Sequence, residues 1–144
     1  MIKICFICLG NICRSPMAEY IFKDKIKKLK IEDKFYVTSL GTSNEEYGND
    51  IYPPVKELLK RHNIEFDTHY ARKFKKEDYE KFDYIICMEK SNIRNLKYIV
   101  DDHNNKIKTL LDKDILDPWY TRDFETAYKE IENGINKLLE KLHN

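Results

Sequence analysis

Ile2-Lys3-Ile4-Cys5-Phe6-Ile7-Cys8-Leu9-Gly10-Asn11-Ile12-Cys13-Arg14-Ser15-Pro16 is the stretch on which the fold turns. Apart from Lys3 its first seven residues are apolar and β-rich, the mark of a buried strand. Gly10 and Asn11 break the run. Ser15-Pro16 then opens a helix, with proline in its first turn, where its missing N–H costs nothing, and Glu19 close behind. Met17, Ala18, Ile21, Phe22, Ile26 and Leu29 return at helical spacing as far as Lys30. Strand, short glycine-bearing loop and helix follow within 30 residues, the beginning of a βα unit.

The same alternation continues along the chain. Residues 35–40 read as a second strand, and 41–50 as a polar loop. Pro53-Pro54 start a second helix running to about His62. Asp83–Met88 form a third strand, and Ser91 caps a short helix that carries Ile93, Leu96 and Ile99. Residues 107–111 give a fourth, shorter strand. From Phe124 a long amphipathic helix runs to the C-terminus. Strands alternating with helices predict an α/β fold: one domain over residues 1–144, a four-stranded parallel sheet with helices on both faces, Rossmann-like in plan. Ligands in such sheets bind beyond the carboxyl ends of the strands.

Composition narrows the function. The chain has 144 residues, about one domain. Charged residues make up 35%, above the usual quarter, yet the net charge is only +1. A general nucleic-acid binder would carry a strong positive excess. No apolar run approaches the roughly 20 residues of a membrane span. The apolar start flows into Gly10–Arg14 with no small-residue cleavage site. A cytoplasmic monomer is expected, its four cysteines reduced thiols. The basic stretches 23–30 and 72–76 read as solvated helix faces, with docking of an acidic partner as the sharper alternative. No metal and no organic cofactor is called for, since there is no His/Cys set at ligand spacing.

Cys8 through Ser15 carries the chemistry. A cysteine, five residues and an arginine can wrap so that successive backbone N–H groups of Leu9, Gly10, Asn11, Ile12 and Cys13 face inward as an anion nest. The following helix aims its positive end at the same point. Arg14 adds a planar fork for two phosphate oxygens. Cys8 lies at the bottom of this bowl, where a thiolate is favoured, and Ser15 can donate to its sulfur. A buried structural thiol is the plain alternative, and it fits Cys5 better. The loop lacks the Gly-Lys-Ser/Thr ending of a Walker-type phosphate loop.

Residues 8–19, Cys-Leu-Gly-Asn-Ile-Cys-Arg-Ser-Pro-Met-Ala-Glu, closely resemble the signature of the low-molecular-weight protein tyrosine phosphatases. The resemblance continues through Ser39, Lys60-Arg61-His62, Ala71-Arg72, Lys76-Glu77-Asp78, Phe82–Met88, Ser91-Asn92 and Asp117-Pro118-Trp119-Tyr120, nearly the whole chain. It implies hydrolysis of phosphotyrosine proteins or small aryl phosphates through a cysteinyl-phosphate, with Cys8 as nucleophile and Arg14 as clamp. It makes Asp117 the general acid, where Asp117-Pro118 by itself reads only as a turn starter. It implies a supporting network of Asn11, Ser39 and His69, Asn11 being a residue that tolerates left-handed backbone. Trp119 and Tyr120 become aromatic walls. A second wall is expected near Glu45, which is not aromatic, so Tyr47 is the candidate in its place. Glu89 stands where many members have aspartate, and must reach further to pair with Arg14. Cys13 is the candidate redox partner of Cys8.

Two rival readings share the fold. A thioredoxin-coupled arsenate reductase also resembles it, but needs a later close cysteine pair, and only Cys87 is there. An idle phosphate-binding adaptor has no reason to keep Cys8, Arg14, Ser15 and Asp117 together.

Overall fold

The computed structural model describes residues 1–143. Four strands, β1 (Ile2–Cys8), β2 (Phe35–Gly41), β3 (Tyr84–Cys87) and β4 (Ile107–Thr109), form one parallel sheet in the order β2-β1-β3-β4. Residues of β1 alternate between its two faces, as strand geometry requires. Ile4, Phe6 and Cys8 enter one core, with residues of α1 (Arg14–Lys28), α2 (Pro53–Arg61) and α5 (Phe124–Leu142). Cys5 and Ile7 enter the other, with Tyr79, Phe82 and Leu96 of α3 (Lys90–Lys97). Helices therefore cover both faces, as the alternation predicts. The chain leaves β1 toward β2 at one edge of the sheet and leaves β3 toward β4 at the other. The crevice between those departures is where such sheets take ligands.

The differences from the sequence reading have local causes. Ser91 does not cap α3. Glu89 is the cap, its carbonyl oxygen accepting the Asn92 N–H at 3.1 Å while the Asn92 carboxamide oxygen accepts from the N–H groups of Met88 and Glu89 at 3.2 and 3.1 Å. Ser91 instead donates its hydroxyl to Glu89 Oε1 at 2.8 Å. The basic stretch 72–76 is no helix face. Residues 72–75 run extended beside β2, pairing Lys73 with Gly41, and Lys76 already opens a 3-10 turn, because the buried Asp78 takes both arms of the Arg72 guanidinium at 2.9 and 3.0 Å. The fourth strand ends at Thr109, two residues early. Two short 3-10 turns, Glu32–Lys34 and Lys76–Lys81, and a four-residue helix α4 (Pro118–Thr121) were not foreseen.

Two glycines are there because of close approach. A Cβ on Gly41 would stand 2.9 Å from the carbonyl oxygen of Leu9, so β2 can lie against the Cys8 loop only with glycine. A Cβ on Gly134, in α5, would stand 2.6 Å from Leu110 Cγ. No helix among the described residues is long and apolar enough to cross a membrane.

Candidate active site

The loop from Cys8 to Ser15 closes over the carboxyl end of β1. Asn11 turns it, the one loop residue with left-handed backbone (φ 61). The Asn11 N–H donates to Cys8 Sγ at 3.3 Å, and Ser15 Oγ lies 3.0 Å from the same sulfur. The N–H groups of Gly10, Ile12, Cys13, Arg14 and Ser15 meet no protein acceptor among the described residues. Those donors, with the positive end of α1, make a site for an anion with Cys8 beneath it.

A buried chain of hydrogen bonds fixes this shape. Asn11 Nδ2 donates to Ser15 Oγ at 2.8 Å and to Ser39 Oγ at 3.1 Å. Ser39 donates onward to Glu19 Oε1 at 2.7 Å, and Glu19 is held by Lys23 at 2.5 Å. Asn11 Oδ1 accepts the Arg72 N–H at 3.1 Å. His69 Nε2 lies 2.6 Å from the Asn11 carbonyl oxygen, and that oxygen can only accept, so Nε2 carries the proton. Every direction in the chain leaves the Ser15 hydroxyl proton free for the Cys8 sulfur. The structure thus brings Asn11, Ser39 and His69 together. Sequence reading missed Glu19, Arg72 and Asp78 as members; the sole signal was that all three lie in the matched motifs.

Arg14 is buried to 1% exposure. It donates to the Ile115 carbonyl at 2.7 Å and pairs with Glu89 and with Asp117 at 3.3 Å each. Burial opposes its charge, but Cys8, Asp117 and Glu89 outweigh this and raise its pKa above the usual arginine value. Its Nε is buried with no partner among the described residues, a donor still available to a substrate oxygen. Glu89 does reach Arg14 with its longer side chain. Asp117 is brought to the mouth by Ile115, which is fully buried and donates its N–H to Met88 O at 3.0 Å. Asp117 Oδ1 also accepts the Trp119 N–H at 3.0 Å, capping α4.

Cys8, Leu9, Gly10, Ile12 and Cys13 form the floor of the cleft; Asp117, Trp119 and Tyr120 stand on one side. Trp119 leans on Tyr52, ring centroids 4.6 Å apart, and Tyr52 in turn lies under the Arg122 guanidinium. Tyr52 was missed because nothing local marks it. On the other side stand Glu45 and Glu46. Tyr47 does not form the second wall: a turn closed from Tyr47 N–H to Asn44 O, followed by Gly48 at φ 81, leaves it 71% exposed and off the cleft. Cys13 is 4% exposed beside Cys8, and burial, reinforced by Cys8 and Asp117, pushes its thiol pKa well up. Cys87 lies fully buried in β3.

A thiol under an anion-binding loop, with a buried guanidinium and a carboxyl at the rim, defines the class of cysteine-dependent phosphomonoesterases. Comparison with known proteins gives the family. Residues 3–144 match the family model described as low molecular weight phosphotyrosine protein phosphatase. The chain is similar to the low molecular weight protein-tyrosine-phosphatase YfkJ of Bacillus subtilis, 41% identical over 96% of this chain and 94% of that one. It is 40% identical to the low molecular weight phosphotyrosine protein phosphatase of Gallus gallus, over 98% and 96%. The crystal structure of YfkJ superposes with a TM-score of 0.96, at 39% identity over 99% of this chain and 95% of that one. This chain therefore belongs to the low molecular weight protein-tyrosine phosphatase family.

Proposed function

We propose that this tyrosine phosphatase works by attack of the Cys8 sulfur on the phosphorus of phosphotyrosine, while the P–O bond to the ring breaks. Asp117 gives its proton to the departing phenolate oxygen. The loop N–H groups and Arg14 hold the three non-bridging oxygens, where charge is greatest in the transition state. The resulting carboxylate of Asp117 then takes a proton from water as the water attacks the cysteinyl-phosphate. Phosphate leaves, and Ser15 stabilises the departing thiolate. Trp119, held by Tyr52, and Tyr120 stack on the substrate ring.

The observation that carries this reading is the Cys8 sulfur held by Ser15 Oγ and the Asn11 N–H, in the same loop as five N–H groups without protein acceptors. Cys8→Ser should abolish turnover of phosphotyrosine and p-nitrophenyl phosphate yet still bind vanadate, because the binding groups remain. Measurable turnover in the pure variant would sink the covalent scheme. The arsenate route finds no support, since Cys87, the only later cysteine, is enclosed in the sheet. The working form is read as a cytoplasmic monomer acting on phosphotyrosine proteins or small aryl phosphates. Gel filtration and fractionation of cells test the first two points.

A further inference from the structure

The two sides of the cleft mouth differ in kind. Trp119 and Tyr120 give one side an aromatic surface. Glu45 and Glu46 give the other side two carboxylates, while the Asp117 carboxyl at the rim is engaged by Arg14. Among the described residues no lysine or arginine lines the cleft. The cation of the site, Arg14, is buried behind it and already engaged by Asp117 and Glu89. Arg122, on the Trp119 segment, is turned onto the rings of Tyr52 and Phe124 and the Trp119 carbonyl.

Neither the Glu45 nor the Glu46 side chain has an ion-pair or hydrogen-bond partner among the described residues. Many other acids of this chain do, including Glu19, Asp50, Asp78 and Glu125. Two unpaired carboxylates beside a site built for a dianion are an electrostatic conflict that the fold alone does not require. Their position is also fixed. Glu46 Cγ lies 3.3 Å from where a Gly10 Cβ would stand, so this side chain rests on the anion-binding loop itself. The segment is pinned at both ends, from Thr42 and Ser43 N–H to the Leu9 carbonyl at 3.0 and 3.1 Å, and from Gly48 N–H to Ala71 O at 2.8 Å.

We propose that Glu45 and Glu46 select phosphotyrosine segments that carry lysine or arginine next to the phosphotyrosine. The inference rests on the tyrosine phosphatase reading above. With the phosphate in the loop and the ring against Trp119, the neighbouring residues of a bound segment pass over Glu45 and Glu46. A basic neighbour supplies the partner these carboxylates lack. An acidic neighbour meets like charge, which adds to the cost of bringing a dianion there.

The test compares two phosphotyrosine peptides of equal length, one with lysine on both sides of the phosphotyrosine and one with glutamate. At low ionic strength the lysine peptide should be favoured in kcat/KM by about tenfold or more, the factor of roughly one unit-charge contact in a partly screened site. The preference should lie in KM, because the contacts are equal in ground and transition states. It should shrink at about 0.5 M salt, where the screening length is only a few ångströms. In a Glu45→Gln/Glu46→Gln variant the ratio should fall toward one. Each enzyme is scaled to its own turnover of p-nitrophenyl phosphate, so general damage cancels. Equal rates, a preference for the glutamate peptide, or a ratio that survives in the double variant would overturn the proposal alone. Failure to hydrolyse either peptide, with p-nitrophenyl phosphate still turned over, would overturn it together with the tyrosine phosphatase reading.

Discussion

His69 Nε2 sits 2.6 Å from the carbonyl oxygen of Asn11, the residue whose left-handed backbone turns the anion-binding loop. The contact crosses 58 positions of sequence. It holds the peptide joining Asn11 to Ile12 in one orientation, while on the preceding peptide the Asn11 N–H points at the Cys8 sulfur.

Loss of that contact should act on geometry and not on proton transfer. His69→Ala is expected to lower kcat by on the order of a hundredfold, the scale of a misplacement near 1 Å. His69→Gln, which can still donate a hydrogen bond, should recover part of the loss. A His69→Ala enzyme with unchanged kcat would show that the loop holds its shape without help.

Asp117→Asn should hurt poor leaving groups far more than good ones. A phenolate of high basicity cannot leave without a proton, whereas p-nitrophenolate nearly can. General acid catalysis contributes roughly 10²–10⁴-fold, so the burst rate with phosphotyrosine should drop in that range and the burst with p-nitrophenyl phosphate much less. The burst must be read because the second step also uses Asp117. Equal losses would move the role elsewhere. Of the neighbouring acids, Asp114 is bound to the Lys90 N–H and Asp123 caps α5, which leaves Asp112 as the free alternative.

Mild peroxide should convert Cys8 to a sulfenic acid, which Cys13 can capture, forming the disulfide and releasing water. Burial keeps Cys13 in the thiol form, so this capture should speed up as pH rises. Peptide mapping should find the Cys8–Cys13 bond, and dithiothreitol should restore activity. Cys13→Ser should be inactivated irreversibly by the same treatment. Equal recovery of the variant and the parent enzyme would leave Cys13 a packing residue.

Acid should unfold the protein in a narrow window. Burial alone would raise the Asp78 carboxyl, but the hydrogen bonds from Arg72 and the Lys75 N–H overcome it and hold the pKa below the usual aspartate value. Asp50 and Asp102 are lowered in the same way. A carboxylate lowered on folding stabilises above its unfolded pKa, near 4, and that stability is lost as pH falls through the folded value. Tm should therefore be level from neutral pH to about 5 and fall below about 4. Asp78→Asn, which leaves Arg72 unpaired, should cost about 3 kcal/mol at neutral pH and flatten the acid decline. An unchanged acid profile in that variant would show that the pair does not govern it.

The sequence reveals what is local. Strand β1 shows in its apolar run, α1 in its periodicity and Pro16, and the nucleophile loop in its spacing. Asp117 needs the family pattern, because a lone Asp-Pro is a common turn. What stays hidden is set by distant partners. The start of α3 depends on Asn92 reaching back to Glu89, and the extended course of residues 72–75 depends on Asp78 gripping Arg72. The direction of Tyr47 is settled by one turn, and the Trp119 wall by a tyrosine 67 positions away in a stack no spacing rule marks.

Arg14 also bears on the birth of the molecule. Its partners Glu89, Ile115 and Asp117 lie 75, 101 and 103 residues downstream. The nucleophile loop leaves the ribosome well before these partners: its guanidinium meets the first of them, Glu89, only 75 residues later and the full set only after 103. A nascent or truncated chain that stops short of Asp117 carries the whole signature and should still be inert. Activity becomes a report that the last strand and its loop have docked, so this chemistry can serve as its own assay of complete folding.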